Sequence, residues 1–249
     1  MDATSIALLA GAGLVAGTVN TIAGAGSLLT FPTLLALGLP PLSANVTNCV
    51  GLISGSVSGA LGMREELRGQ RALLVRLCAW AVAGSLLGAL ALLALPSAAF
   101  DVIVPLLVAA AGLLVLAQPL VIRLAGRADG HTSRATGPGV GAVAVYSGYF
   151  GAAQGVMLIG ALGVLTTQSL TRINALKNVI AVAANGAAGT VYAFAAPVDW
   201  TAALVLAVGS TVGGPIGAVL ARRIPARPLR WGIAAVALAV AARLAWSAW

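Results

Sequence analysis

Within TRINALKNVIAVAAN (171–185), Asn174, Lys177 and Asn178 recur at helical spacing, and Asn185 follows two turns further on. Residues four apart share a helix face, so Asn174 and Asn178 stand together with Lys177 beside them. Lys177 is the sole lysine among fourteen basic residues, and its ammonium is a compact cation suited to an oxyanion. The competing reading is a helix-end lysine that snorkels to water; Arg172 reads as an interface residue. A second group lies in GTVNTIAGAGSLLTFPTLLALGLPP (17–41). Its ends are apolar, while Asn20, Thr21 and Ser27 place hydrogen-bonding groups in its middle. Gly24 and Gly26 would let the chain reverse and approach a ligand closely. A helix starting near Ser27 would then offer free N–H groups and a positive dipole end to an anion. A packing kink without a ligand is the alternative for such a break. Asn45 and Asn48 in the following run, with Gln154 and Gly155 in GYFGAAQG (148–155), complete the candidate set.

Such residues need elements to hold them, and the composition says which kind. Sixty per cent of the 249 residues are hydrophobic and 8% are charged, with a mean hydropathy of +1.02. A water-soluble domain must cover itself with polar surface and has no use for so apolar a chain, so lipid is the expected solvent. The net charge of +8 sits in short clusters between apolar runs. That pattern orients a membrane protein and argues against nucleic-acid binding. The amino-terminal MDATSIALLAGAGL lacks a basic flank and a clear cleavage site, and reads as mature protein.

Apolar runs fall near 5–38, 42–63, 72–95, 98–122, 137–165, 173–196, 201–221 and 229–247. Six suit single spanning helices, which need about 20 residues. The first and fifth are broken by NTIAGAGS and GYFGAAQG into arms of about 10–16 residues, too short to cross a core of about 30 Å. If all eight runs cross, seven basic residues fall on one side and six on the other. If the first and fifth are re-entrant hairpins, thirteen of the fourteen basic residues share the cytoplasmic side, as the positive-inside tendency favours. An offset of 129 residues lays Asn45 on Asn174, Asn48 on Lys177 and Gly26 on Gly155. The expected fold is therefore an all-α membrane protein with an inverted repeat of two halves. Each half holds one broken, re-entrant helical hairpin and three transmembrane helices, with a site at the midplane. The first repeat spans 1–125, a cytoplasmic linker 126–136, and the second repeat 137–249.

The repeats Gly51-xxx-Gly55-xxx-Gly59 and Gly209-xxx-Gly213-xxx-Gly217 suit close helix packing. Pro105 and Pro215 would kink their helices. Trp80, Trp200, Trp231, Trp246 and Trp249 mostly lie near run ends, where an aromatic belt forms. Cys49 and Cys78 read as small packing residues, and His131 stands alone, so no metal site is expected. No nucleophile has an orienting base and no cofactor motif occurs, so neither an enzyme nor a cofactor is expected. No carboxylate lies deep in a run, which argues against an acidic proton relay or sodium site.

The motifs NTIAGAGSLLTFPTLLALGLPPLSANVTN, GYFGAAQGVMLIGALGV, RINALKNVIAVAANGAAG and PVDW together resemble the sulfite exporter TauE/SafE family of membrane permeases, over nearly the whole chain. The resemblance implies a multi-pass permease of the cell inner membrane whose partners are lipid and a small sulfur-containing anion: sulfite, thiosulfate or an organosulfonate. Ala25 and Gln154 depart from glycine-rich family positions, which implies a looser anion cradle at the first and an altered substrate choice at the second. The expected mechanism is alternating access. A membrane scaffold or assembly partner is the rival reading. The particular anion, the direction of transport, the coupling ion, homo-oligomerisation and full crossing of the first and fifth runs stay open.

Overall fold

The computed structural model describes residues 1–125, 133–221 and 227–247. Arg127, His131, Arg222, Arg223, Trp249 and most of the 126–136 linker lie outside them. The described residues form eleven α-helices and one 3-10 turn: α1 (Ala3–Ala23), α2 (Ser27–Ala36), α3 (Pro41–Gly51), α4 (Ile53–Gly62), the turn Arg64–Leu67, α5 (Arg71–Ala94), α6 (Ser97–Ala125), α7 (Thr136–Tyr149), α8 (Gln154–Leu165), α9 (Leu170–Ala195), α10 (Trp200–Leu220) and α11 (Arg227–Ser247). Segments of α1, α5, α6, α9 and α10 are long and apolar enough to cross a membrane.

Local chemistry sets the helix starts. Asp2 accepts from Ser5 N at 3.0 Å and caps α1, a bond that holds its carboxyl below the usual range. Asp199 caps α10 by accepting from Ala202 N at 2.9 Å, and its own N–H donates to Thr47 Oγ1, tying α10 to α3. Such caps satisfy N–H groups that a helix cannot bond internally.

The first run departs from the expected pair of short arms. α1 has 21 residues, about 31 Å at 1.5 Å each, and only its partner α2 is short, with 10. The reason lies in its partner helix. Ideal Cβ positions on Gly209, Gly213 and Gly217 would strike the carbonyls of Ala10, Leu14 and Thr18 in turn. Backbone therefore meets backbone along most of α1, in parallel register with α10, and the helix continues until Gly24. The second hairpin does have two short arms, of 14 and 12 residues. The 42–63 run, expected as one helix, is divided at Leu52 into α3 and α4.

The small-residue repeats act in packing. Gly51, Gly55 and Gly62 face Leu206, Ser210 and Ala218 of α10. Gly84 and Gly88 of α5 receive the carbonyls of Gly141 and Val145 on α7, so α5 and α7 also run parallel. Without a hydrophobic drive between helices in lipid, this close approach supplies the van der Waals contact. Around the second break, Phe150 packs edge-on against Phe31 of α2, with ring centroids 5.4 Å apart, and against Phe100 of α6 at 6.3 Å. Trp80 covers Gly137 and Gly141, while Trp200, Trp231 and Trp246 are exposed.

Candidate functional site

The first break begins where α1 ends: Gly24 turns left-handed at φ 74° and donates to Asn20 O at 2.8 Å. The second covers 150–153, with Gly151 at φ 75° and Ala153 at φ 57°. Each break frees the last carbonyls of one arm and the first N–H groups of the next.

Side chains bind the freed carbonyls. Lys177 Nζ donates to Asn20 O at 2.8 Å and Thr21 O at 3.1 Å. Asn174 Nδ2 also reaches Thr21 O, at 3.1 Å. At the second break Asn45 Nδ2 donates to Tyr149 O at 3.0 Å, Tyr192 OH to Gly148 O and Tyr146 OH to Ala152 O at 2.9 Å. The negative ends of α1 and α7 are thus capped by donors, and the opening N–H groups of α8 are also taken, Gly155 N by Gly24 O and Val156 N by Ala153 O.

The two breaks pass one another. The first lies beside the opening turns of α9, through Asn174 and Lys177. The second lies beside Asn45 and Tyr192, toward the other end of α9. They touch where Gly155 N donates to Gly24 O at 3.0 Å. An ideal Cβ on either glycine would land on the other's Cα, so both positions require glycine.

Beside this contact is a cavity of about 30 Å³, room for about two waters or one small ion. It is lined by Asn20, Gly24, Ser27, Asn48, Gln154, Gly155, Lys177, Asn178 and Asn185 of the sequence-derived set. Lys177 is the one charged residue in the lining. It is 1% exposed, which rules out snorkelling. Gln154 is 5% exposed and its Nε2 donor has no partner. Thr30 Oγ1 donates to Asn48 Oδ1, which leaves the Asn48 NH₂ as the free end of that amide. The site is a small polar hollow with unpaired donors, one cation and no acid.

Four candidates lie outside the lining. Thr21 contributes its carbonyl to Lys177 and its hydroxyl to Gly17 O. Asn45 and Asn174 serve as carbonyl caps. Gly26 is packed so closely on α1 that a Cβ would meet Ala16 O. Asn174 and Asn178 do share a face, and both donate to Met63 Sδ, at 3.6 and 3.4 Å. Arg172 is exposed, with Nη1 donating to Gln168 Oε1 at 3.5 Å.

The lining also includes residues that sequence reasoning missed, notably Cys49, Ser147, Phe150 and Gly151. The 129-residue offset places Cys49 on Asn178, and Ser147 lies in the last turn of α7, just ahead of the second break; those signals were available. Cys49 is a free thiol 3.8 Å from Asn185 O.

The family model described as "Sulfite exporter TauE/SafE" matches residues 9–244. Among curated proteins, the chain is 29% identical over 224 residues to a "Probable membrane transporter protein" of Haemophilus influenzae, covering 86% of this chain and 84% of that one. It is 27% identical over 244 residues to "Probable membrane transporter protein ORF9" of Sinorhizobium sp, covering 96% and 92%. It is also 27% identical over 236 residues to "Probable membrane transporter protein YfcA" of Escherichia coli K12, covering 93% and 86%. No solved structure matches.

Proposed function

The chain belongs to the sulfite exporter TauE/SafE family and is a membrane transporter, and we propose that it moves a small sulfur-containing oxyanion by alternating access. The observation that carries this reading is the lining of the cavity: a buried ammonium, the unpaired Gln154 amide and two helix starts, with no carboxylate. Buried polar groups are normally satisfied, so unpaired donors beside a cation call for an acceptor with negative charge. A small oxyanion is such an acceptor.

The proposed mechanism uses an inverted repeat, which several features support. The offset that superposes Asn45 on Asn174 also superposes Gly84 and Gly88 on Gly213 and Gly217. Both glycine pairs receive carbonyls from the first arm of a broken hairpin. α1 runs parallel to α10 and α4, whereas α7 runs parallel to α5, which returns after the 64–67 turn. The two hairpins would then insert from opposite sides of the inner membrane. The repeats would be 1–125 and 137–249, joined on the cytoplasmic side. One backbone bond, Gly155 N to Gly24 O, joins the two hairpins beside the cavity. Rocking one half against the other would open the cavity to each side alternately. Asn20, Ser27, Asn48, Gln154, Lys177, Asn178 and Asn185 would bind the anion, and Thr21, Asn45 and Asn174 would hold the breaks in shape.

Uptake of labelled sulfite into proteoliposomes tests this reading. Lys177→Ala and Asn178→Ala are each expected to lower uptake at least tenfold in folded protein. Unchanged transport in both variants would overturn the site.

A further inference from the structure

Resting on that anion reading, we infer that the cavity selects a singly charged oxyanion, such as hydrogensulfite or a monosulfonate, over a dianion, so that sulfite crosses together with its proton. The inference comes from the charge balance around the cavity. Its lining holds one ionisable cation, Lys177, and no acid. The remaining acids of the described residues lie at helix starts and in a turn: Asp2 and Asp199 as caps, Glu65 and Glu66 in the 3-10 turn, Asp101 in the opening turns of α6.

Helix ends add fixed partial charges. α2 and α8 start at the cavity, through Ser27, Gln154 and Gly155, each offering about half a positive charge. α1 and α7 end at the same two breaks, each with about half a negative charge. The four ends cancel in pairs, and the balance near the ligand is the single charge of Lys177. Two carbonyls of α1, from Asn20 and Thr21, already take two of its three N–H groups, leaving one for a ligand oxygen. The other free donors, Gln154 Nε2 and the Asn48 amide, are neutral.

A monoanion in this hollow makes a neutral pair. A dianion leaves a net negative charge buried, which a low-dielectric site penalises heavily. A proton bound to the substrate removes that excess charge, so proton movement needs no carboxylate of the protein. This accounts for a polar site without the acidic relay that a proton-coupled carrier would otherwise require.

The test is thermal unfolding of the purified full-length protein with three probes of similar size: methanesulfonate with one negative charge, sulfate with two, and dimethyl sulfone with none. Each is titrated at constant ionic strength in gluconate. Lys177→Met, titrated in parallel, subtracts the general stabilisation that sulfate gives any protein. A ligand of the folded state must raise the unfolding midpoint. Methanesulfonate is expected to do so at concentrations at least about tenfold below those sulfate requires, and dimethyl sulfone to have no effect. Sulfate acting as well as methanesulfonate would overturn the inference and leave the anion site standing. An equal effect of dimethyl sulfone would overturn it too, by showing that charge does not select. No response to any probe would overturn the anion reading and this inference with it.

Discussion

Replacing Lys177 by methionine separates what the lysine does for the fold from what it does for a ligand. The ammonium makes two charge-assisted bonds to carbonyls, worth about 1.5–3 kcal/mol each. Neither carbonyl is orphaned by its loss. Asn20 O keeps the Gly24 N–H at 2.8 Å, and Thr21 O keeps Asn174 Nδ2 at 3.1 Å. Against the lost bonds stands relief from burying an ammonium, a cost of several kcal/mol. Methionine has a similar apolar stem and adapts its shape. The two effects nearly offset, so Lys177→Met is expected to unfold within about 2 kcal/mol of the unmodified protein. Ligand binding should respond very differently. An anion about 4 Å from the ammonium gains about 4 kcal/mol at an effective permittivity of about 20, or about three decades in affinity. The assay is titration calorimetry with sulfite on both proteins in detergent, beside their unfolding curves. Affinity should fall by about 100- to 1,000-fold while the fold persists. A variant that binds sulfite within threefold of the unmodified protein would refute the electrostatic role given to Lys177.

Gly155→Ala drives a methyl into the Gly24 backbone and disturbs the Gly155 N–H bond, for a combined cost of about 2–4 kcal/mol. Gly186→Ala on α9 meets open space and should be neutral or gain up to about 1 kcal/mol. Unfolding curves compare the pair, and equal effects would contradict the crossing of the breaks. Cys49 lines the cavity, so a negatively charged thiosulfonate reagent should label it in a Cys78→Ser background, and methanesulfonate, which is inert to such reagents, should slow the labelling. A rate unaffected by methanesulfonate would mean that no anion occupies the space beside Cys49. Asp199→Ala removes the α10 cap and should cost about 1 kcal/mol of stability without changing sulfite affinity. Calorimetry on that variant checks the second half of this expectation.

The interruptions themselves were legible in the sequence, because glycines and polar side chains inside apolar runs have few other uses. Gly24, Ser27, Gln154 and Gly155 fall where the run pattern expects them, at the ends and starts of helices. What the run pattern lacked was depth. Whether α1 stops after 10 residues or continues for 21 depends on α10, almost 200 positions away, whose glycines admit its carbonyls. The division at Leu52 has the same character. Gly51 faces Leu206, and no local breaker announces a new helix after Leu52. What the Asn45 and Asn174 side chains meet was not legible for a related reason. Helical spacing puts a polar side chain on a face but does not say what waits there, and here it is a carbonyl freed by the opposite hairpin. Cys49 was passed over because a cysteine in an apolar run ordinarily packs.

The proposed function requires an oxyanion beside Lys177 where the two broken hairpins touch. Diffraction from crystals soaked in selenite, whose heavy atom scatters anomalously and whose shape follows sulfite, measures that directly. One anomalous peak is expected within hydrogen-bonding reach, through the anion's oxygens, of Lys177 Nζ and Gln154 Nε2. Selenite bound elsewhere, with the hollow empty or holding only water, would contradict it.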